Sequence, residues 1–166
     1  MSAEFPKSKE ALPEPTAMLF DPSTQKWDDV RDAILEIDKA CFGEKSFPEE
    51  ELRTYFEDPD AVAVLLKRKD QILGFSGAIS DKDVEGALYI DTTDIVPEEQ
   101  EKRHVVLIME ILEEEARKRG YKFLTRNAAI ENGYADKILK NYSDRILESH
   151  ENDSEWGPQR YFKIKL

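Results

Sequence analysis

One cysteine, two histidines and seven glycines are all that the 166 residues hold of the types on which most metal, thiol and phosphate-loop chemistry is built. With Cys41 alone, no disulfide can close within the chain and no cysteine-based metal site can form. No cluster of His, Cys and Asp has ligand spacing, so no metal is expected. Neither a G-x-S-x-G elbow nor a Walker-type glycine loop occurs. No apolar run is long enough to span a bilayer, and the N-terminus lacks a basic segment followed by an apolar one, so no signal peptide is expected. With a lone thiol, this points to a reducing, cytoplasmic compartment. Positive charge is also short: 24 Lys and Arg stand against 36 Asp and Glu, a net charge of -12. That argues against nucleic acid or an anionic membrane as partner. It favours cationic partners, and it also serves solubility.

What is present is one domain's worth of chain with ordinary apolar content. Residues 1–16, with prolines and alternating charge, read as a flexible tail, leaving a single domain over 17–166. Ala17–Asp21 reads as a short strand. Residues 26–42 place Trp27, Val30, Ile34, Ile37 and Cys41 on one helical face, so Cys41 reads as a packed thiol rather than a nucleophile. Ser46 is the expected cap of a second helix, which turns Leu52, Tyr55 and Phe56 inward. Ala61–Lys67, Ile72–Ile79 and Ala87–Val96 form an antiparallel meander, and Gly74 and Gly77 mark bends or close backbone approach. A helix over Glu98–Arg119 ends at Gly120, and Tyr121–Thr125 is the next strand. Asn132 caps a last helix with Ala135, Ile138, Leu139 and Tyr142 on one face. Residues 145–150 and 160–166 alternate as two final strands. The fold class is α/β (α+β), with a mixed, mostly antiparallel central sheet of about seven strands flanked by about four helices.

The sharpest local feature is the turn where Ala87–Val96 meets Pro97 and then Lys102-Arg103-His104 at a helix start. The first N–H groups of a helix lack internal partners, and the dipole adds positive charge there, which suits an anion. Solvated surface charge is the plainer alternative for Lys102 and Arg103, as an exposed helix start is for His104.

The order of elements resembles the GNAT family of acyl-CoA-dependent N-acyltransferases over residues 17–166. The matching pieces are Ile72-Leu73-Gly74-Phe75, Asp94-Ile95-Val96-Pro97, Gln100 opening the pyrophosphate loop, and Asn132 with Ala135. The resemblance implies acetyl-CoA as co-substrate. The backbone of Ile95 and Val96 would pair with the pantetheine arm. Gln100, Glu101, Lys102, Arg103, His104 and Val105 would wrap the pyrophosphate, and Asn132 would lie beside the thioester. The chain departs from the family pattern at four places. Arg103 and Val105 stand where the loop usually has small residues, Leu139 where many members carry a tyrosine, and Ser143-Asp144 where Gly-Phe is usual.

Acyl transfer to an amine needs a base for the ammonium, polarisation of the carbonyl and a proton for the thiolate. Tyr89, Asp91 and Thr93 share one face of their strand, which makes Asp91 the base candidate, acting directly or through water. Asp91 and Asp94 can equally be strand-end carboxylates without function. Tyr142, or Tyr134, could replace the absent tyrosine as acid, and both also fit as core aromatics. Trp156 could line a substrate mouth or merely anchor a surface.

The expected activity is acyl transfer to a primary amine in a ternary complex, since no nucleophile for a covalent intermediate is evident. The acceptor would be a small-molecule amine or a basic peptide, and a homodimer is compatible with the sequence. The alternative is a non-catalytic protein of the same fold acting as a binding or regulatory module. An unrelated α/β binding protein is a third reading.

Overall fold

The computed structural model describes residues 12–166. Its strands are β1 (Thr16–Leu19), β2 (Val62–Arg68), β3 (Gln71–Ser80), β4 (Ala87–Ile95), β5 (Phe123–Ala129), β6 (Ile146–Ser154) and β7 (Gly157–Lys165). Its helices are α1 (Trp27–Phe42), α2 (Glu49–Glu57), α3 (His104–Lys118) and α4 (Tyr134–Tyr142). The seven strands form one sheet in the order β1-β2-β3-β4-β5-β7-β6. Every neighbouring pair is antiparallel except β4 and β5, which are parallel because α3 crosses between them. This is the mixed, mostly antiparallel sheet with four flanking helices that the sequence implies.

Two apolar layers clamp the sheet. α3 and α4 cover one face through Val105, Ile108, Leu112 and Ile138, all fully buried, over Leu88, Ile90 and Leu124. α1 and α2 cover the other through Ile34, Leu52 and Phe56 over Leu65 and Phe75. Each such side chain contributes roughly 1.5–3 kcal/mol by leaving water. Gly77 is needed where α2 approaches: a Cβ there would lie 2.4 Å from the Tyr55 ring. The expected close approach at this glycine is therefore real, and it sets where Tyr55 sits.

Several boundaries differ from the sequence reading, each for a local reason. The tail expected over 1–16 falls, for residues 1–11, outside the described residues. Pro15 is buried, Arg68 Nε donates to the carbonyl of Pro13 at 2.7 Å, and Thr16 already pairs in β1. Ser46 does not cap α2; Pro48 stands at that position, and Asp38 Oδ2 accepts instead from the amide of Phe47 at 2.7 Å. The helix expected from Glu98 begins only at His104, because a short 3-10 turn (Pro97–Glu99) is followed by Glu101 with φ of 66°. Left-handed backbone at a non-glycine residue breaks a helix there. β5 runs past Thr125 to Ala129 because it pairs with β7 along its whole length. β6 and β7 form a tight hairpin, the turn held by Ser154 Oγ to the Gly157 carbonyl at 2.9 Å.

Candidate active site between the parted strands

β4 and β5 stay in register only from Ala87–Phe123 to Ile90–Arg126. Both strands continue beyond that point without pairing, so the sheet opens into a wedge. On β4 the register against β3 jumps from Thr92–Gly77 to Ile90–Ala78, which leaves Asp91 as an extra residue, a bulge. The wedge is the splayed strand pair that an extended ligand arm can enter.

The open edge of β4 has a definite hydrogen-bonding character. The amide of Val96 donates to the Leu73 carbonyl at 2.9 Å, toward β3. By strand alternation the backbone groups of Ile95 and Thr93 therefore face the wedge. Val96 was expected to pair with the pantetheine arm, but its N–H is already committed to Leu73; the Thr93 backbone is the one that faces the wedge beside Ile95. The Ile95 carbonyl receives Gln100 Nε2 at 2.8 Å and Cys41 Sγ at 3.2 Å, so its amide is the more accessible group. Burial pushes the Cys41 thiol up to about 12, which keeps it protonated, a donor and not a nucleophile.

The loop after β4 disposes of its two bulky residues without closing the helix start. The Val105 side chain is fully buried in the core, away from the amides of the first turn. Arg103 leans across to α4, Nη2 donating to Asn141 Oδ1 at 3.0 Å. The amides of His104 and Val105 meet no carbonyl among the described residues, and Val106 N bonds only back to Arg103 O at 3.1 Å. Lys102 and His104 are not free: both bond Glu99, at 2.9 and 3.1 Å, and Arg68 joins them at 2.8 Å. Burial alone would raise the Glu99 carboxyl, but the hydrogen bonds from Arg68, Lys102 and His104 outweigh it and hold it at about 2. Glu101, at the left-handed turn, is exposed.

Two adjoining cavities, of about 340 and 180 Å³, fill the wedge and its mouth. Thr93, Asn132 and Tyr134 line both. Asn132 was expected to cap α4, but the left-handed Gly133 holds the N-cap position; Asn132, one residue earlier, accepts at Oδ1 from the Tyr134 amide at 3.0 Å and so fixes the turn into the helix. Tyr134 is buried and its hydroxyl has no partner among the described residues. Tyr142, at the opposite end of α4, lines neither cavity. Its ring lies under Arg145 at 5.0 Å, with Glu113 beside its hydroxyl. Burial raises both tyrosines above the ordinary phenol value; at Tyr142 the Glu113 carboxylate adds to the rise and Arg145 opposes it.

Asp91 lines the smaller cavity and also an adjacent groove of about 470 Å³ that carries Asp81 and Asp83. Tyr55 Oη donates to Asp91 Oδ2, tying the bulge to α2. Burial and this bond raise the Tyr55 phenol, so it stays a donor. Deeper, Asp94 lies beside Asp38 of α1; both are 1% exposed, and Asp38 Oδ1 and Asp94 Oδ2 have no hydrogen-bond partner among the described residues. Burial, then this contact, raise the Asp94 carboxyl well above its usual range. At the mouth, Phe47 stacks on Trp156 with centroids 6.1 Å apart, and Phe42 meets Phe47 edge-on.

Residues 27–137 match the model of the acetyltransferase (GNAT) family. The chain belongs to that family. GNAT proteins carry out acyl transfer from acyl-CoA, and this GNAT chain has the family's architecture throughout. An N-acetyltransferase of Staphylococcus aureus superposes with a TM-score of 0.68 at 14% identity, covering 92% of this chain and 99% of its own. The aminoglycoside 6'-N-acetyltransferase of Enterococcus faecium does so at 0.66 and 16% identity, covering 90% and 96%. A protein of Salmonella typhimurium solved with its cofactor acetyl-CoA gives 0.65 at 13% identity, covering 93% and 95%. No curated protein matches the sequence. Among the described residues no helix is long and apolar enough to cross a membrane, and no group of acidic, His and Cys side chains is placed to hold a metal.

The sequence reading missed the contributions of Asp38, Phe42, Phe47 and Arg126.

Proposed function

We propose that the protein is an N-acyltransferase, moving the acyl group of an acyl-CoA, acetyl-CoA being the simplest, onto a primary amine in a ternary complex. The observation that carries this reading is the wedge itself. An open strand edge with two inward-facing amides is flanked by an unpartnered phenol on one side and a carboxylate on the other.

Bound coenzyme A thioester supplies an activated carbonyl. The Ile95 and Thr93 backbones hold the pantetheine amides. The first turn of α3, with Arg103 beside it, takes the diphosphate. Glycine is dispensable at the two loop positions because Val105 turns inward and Arg103 turns aside. Asp91 accepts the proton that the ammonium group of the acceptor must lose, and Tyr55 holds its carboxylate in place. Tyr134, not Tyr142, protonates the departing sulfur, since only Tyr134 reaches the cavities. Asn132 orients Tyr134 by accepting from its amide in the turn that leads into α4. The acidic groove at Asp81, Asp83 and Asp91 favours cationic acceptors, such as polyamines or basic peptides.

Support for a rival, non-catalytic binding role comes from Glu99, which draws Lys102 and His104 away from any phosphate. Release of free thiol from acetyl-CoA, followed with a panel of polyamines, aminoglycosides and basic peptides, separates the two. Amine-dependent release is the expected result. Binding of coenzyme A without release under any amine favours the binding module.

A further inference from the structure

Arg126 is a buried cation for which the transfer steps have no use. It lies 3% exposed on β5, at the last register pair before the wedge. Its Nε and Nη1 find no hydrogen-bond partner among the described residues. The groups acting on it are the hydroxyls of Tyr134, Tyr89 and Tyr142, with no carboxylate among them. Burial brings it down to about 10, so it remains charged at neutral pH. A guanidinium taken out of water without a counter-charge is strongly disfavoured, and a chain with a dozen surplus acids had partners to offer. The Tyr134 hydroxyl is also without partner, and both groups line the same cavity of about 180 Å³. A strand and a helix thus set unmet donors in the wall of one partly open cavity, with almost no surface of their own exposed to it. That space holds roughly six water volumes at ~30 Å³ each, room for a short acyl chain.

The two faces of the sheet decide which substrate would fill it. Arg126 alternates with Leu124 and Ala128, which pack under α3 and α4. The acceptor groove, on the Thr125 and Asn127 side, sets Asp81, Asp83 and Asp91 against the single cation Lys82, which disfavours an anionic acceptor; Asp91 and Asn127 also reach the cavity that Arg126 lines.

We propose that Arg126 selects the donor: the acyl group carries a carboxylate at its far end, as in the thioester of a short dicarboxylic acid, and Arg126 binds that carboxylate. This rests on the acyl-transfer reading above. The guanidinium fork matches a carboxylate through two parallel N–H···O bonds. The reaction itself balances as for any acyl group. The amine nitrogen bonds the thioester carbon and gives up one proton. The carbon–sulfur bond breaks, and the sulfur leaves with the electron pair and takes a proton. The distal carboxylate is a spectator, and the product is an amide bearing a free carboxylate.

The test is calorimetric titration of wild type and Arg126→Met with acetyl-CoA, malonyl-CoA and succinyl-CoA, followed by kcat/KM for each. Wild type should bind one of the dicarboxylic thioesters at least about tenfold tighter than acetyl-CoA, the scale of one charge-assisted pair. Arg126→Met should lose that preference and still bind acetyl-CoA. Arg126→Lys, which keeps the charge without the fork, should retain part of it. Wild type binding all three equally overturns the proposal and needs no variant. So does a preference that survives in Arg126→Met. A preference for carboxylated acceptors, lost in Arg126→Met, moves the carboxylate to the acceptor and overturns the donor assignment. Binding of acetyl-CoA without preference defeats this inference alone. Binding of no thioester defeats the acyl-transfer reading on which it rests.

Discussion

Ile90 and Arg126 face each other as the last register pair between β4 and β5, and one residue further along β4 comes the bulge at Asp91. The two facts share a cause. An extra residue on one strand raises its local twist, and that carries the β4 edge away from β5. The same residue re-aims its own carboxylate into the wedge. A single irregularity thus opens the ligand slot and places the base beside it.

Replacing Asp91 with Asn removes the base while keeping an acceptor for Tyr55. kcat/KM for the best amine should fall by about 10²-fold or more near neutral pH, the usual contribution of a positioned base. The loss should shrink as pH rises and the free amine becomes abundant. Full turnover by Asp91→Asn at pH 7 removes Asp91 from the mechanism.

Tyr134→Phe should lower kcat by about 10²-fold, with KM for acyl-CoA changed little, because only the proton to sulfur is lost. Tyr142→Phe should leave kcat near wild type, since that hydroxyl lies beside Glu113, outside both cavities. Equal effects of the two substitutions, in steady-state assays, contradict the placement of the acid on Tyr134.

The Asp38–Asp94 contact makes stability depend on pH with a definite sign. Asp94 keeps its proton in the fold well above its ordinary value of 3.8, so the unfolded chain releases that proton first. This contribution to stability is full below about 3.8 and declines as pH rises toward the raised folded value. Asp94→Asn offers Asp38 a permanent donor and removes the decline. Its melting temperature should exceed wild type at pH 7, by roughly 2–4 °C for each ~1 kcal/mol recovered, and match it near pH 4. Glu99 behaves oppositely. Held at about 2, its contribution is present above its ordinary 4.5 and lost as pH falls toward 2. Glu99→Gln should therefore lower the melting point at pH 7 and converge with wild type in acid.

Periodicity sufficed for the layers. The inward faces of α1 and α3 and the β2–β3–β4 meander are local patterns, and they carried the family resemblance with them. What failed was non-local. β5 was cut at Thr125 because nothing local shows its pairing with β7 as far as Ala129–Gln159, which keeps Arg126 and Asn127 in the strand. That hid the buried cation. Lys102 and His104 read as an open basic corner because nothing local shows that Glu99 folds back onto them. Tyr134 and Tyr142 are eight residues apart, so about 12 Å of helix separates them at ~1.5 Å per residue, and only the helix direction tells which meets the wedge.

The central claim is that the wedge between β4 and β5 grips coenzyme A through a loop without glycine. Calorimetric titration of coenzyme A into wild type and into Ala129→Trp tests it, because Ala129 lines both cavities and an indole there plugs the slot. Saturable binding by wild type, abolished in a folded Ala129→Trp, is the result this account predicts. No heat from wild type at millimolar ligand, or undiminished binding by Ala129→Trp, contradicts it.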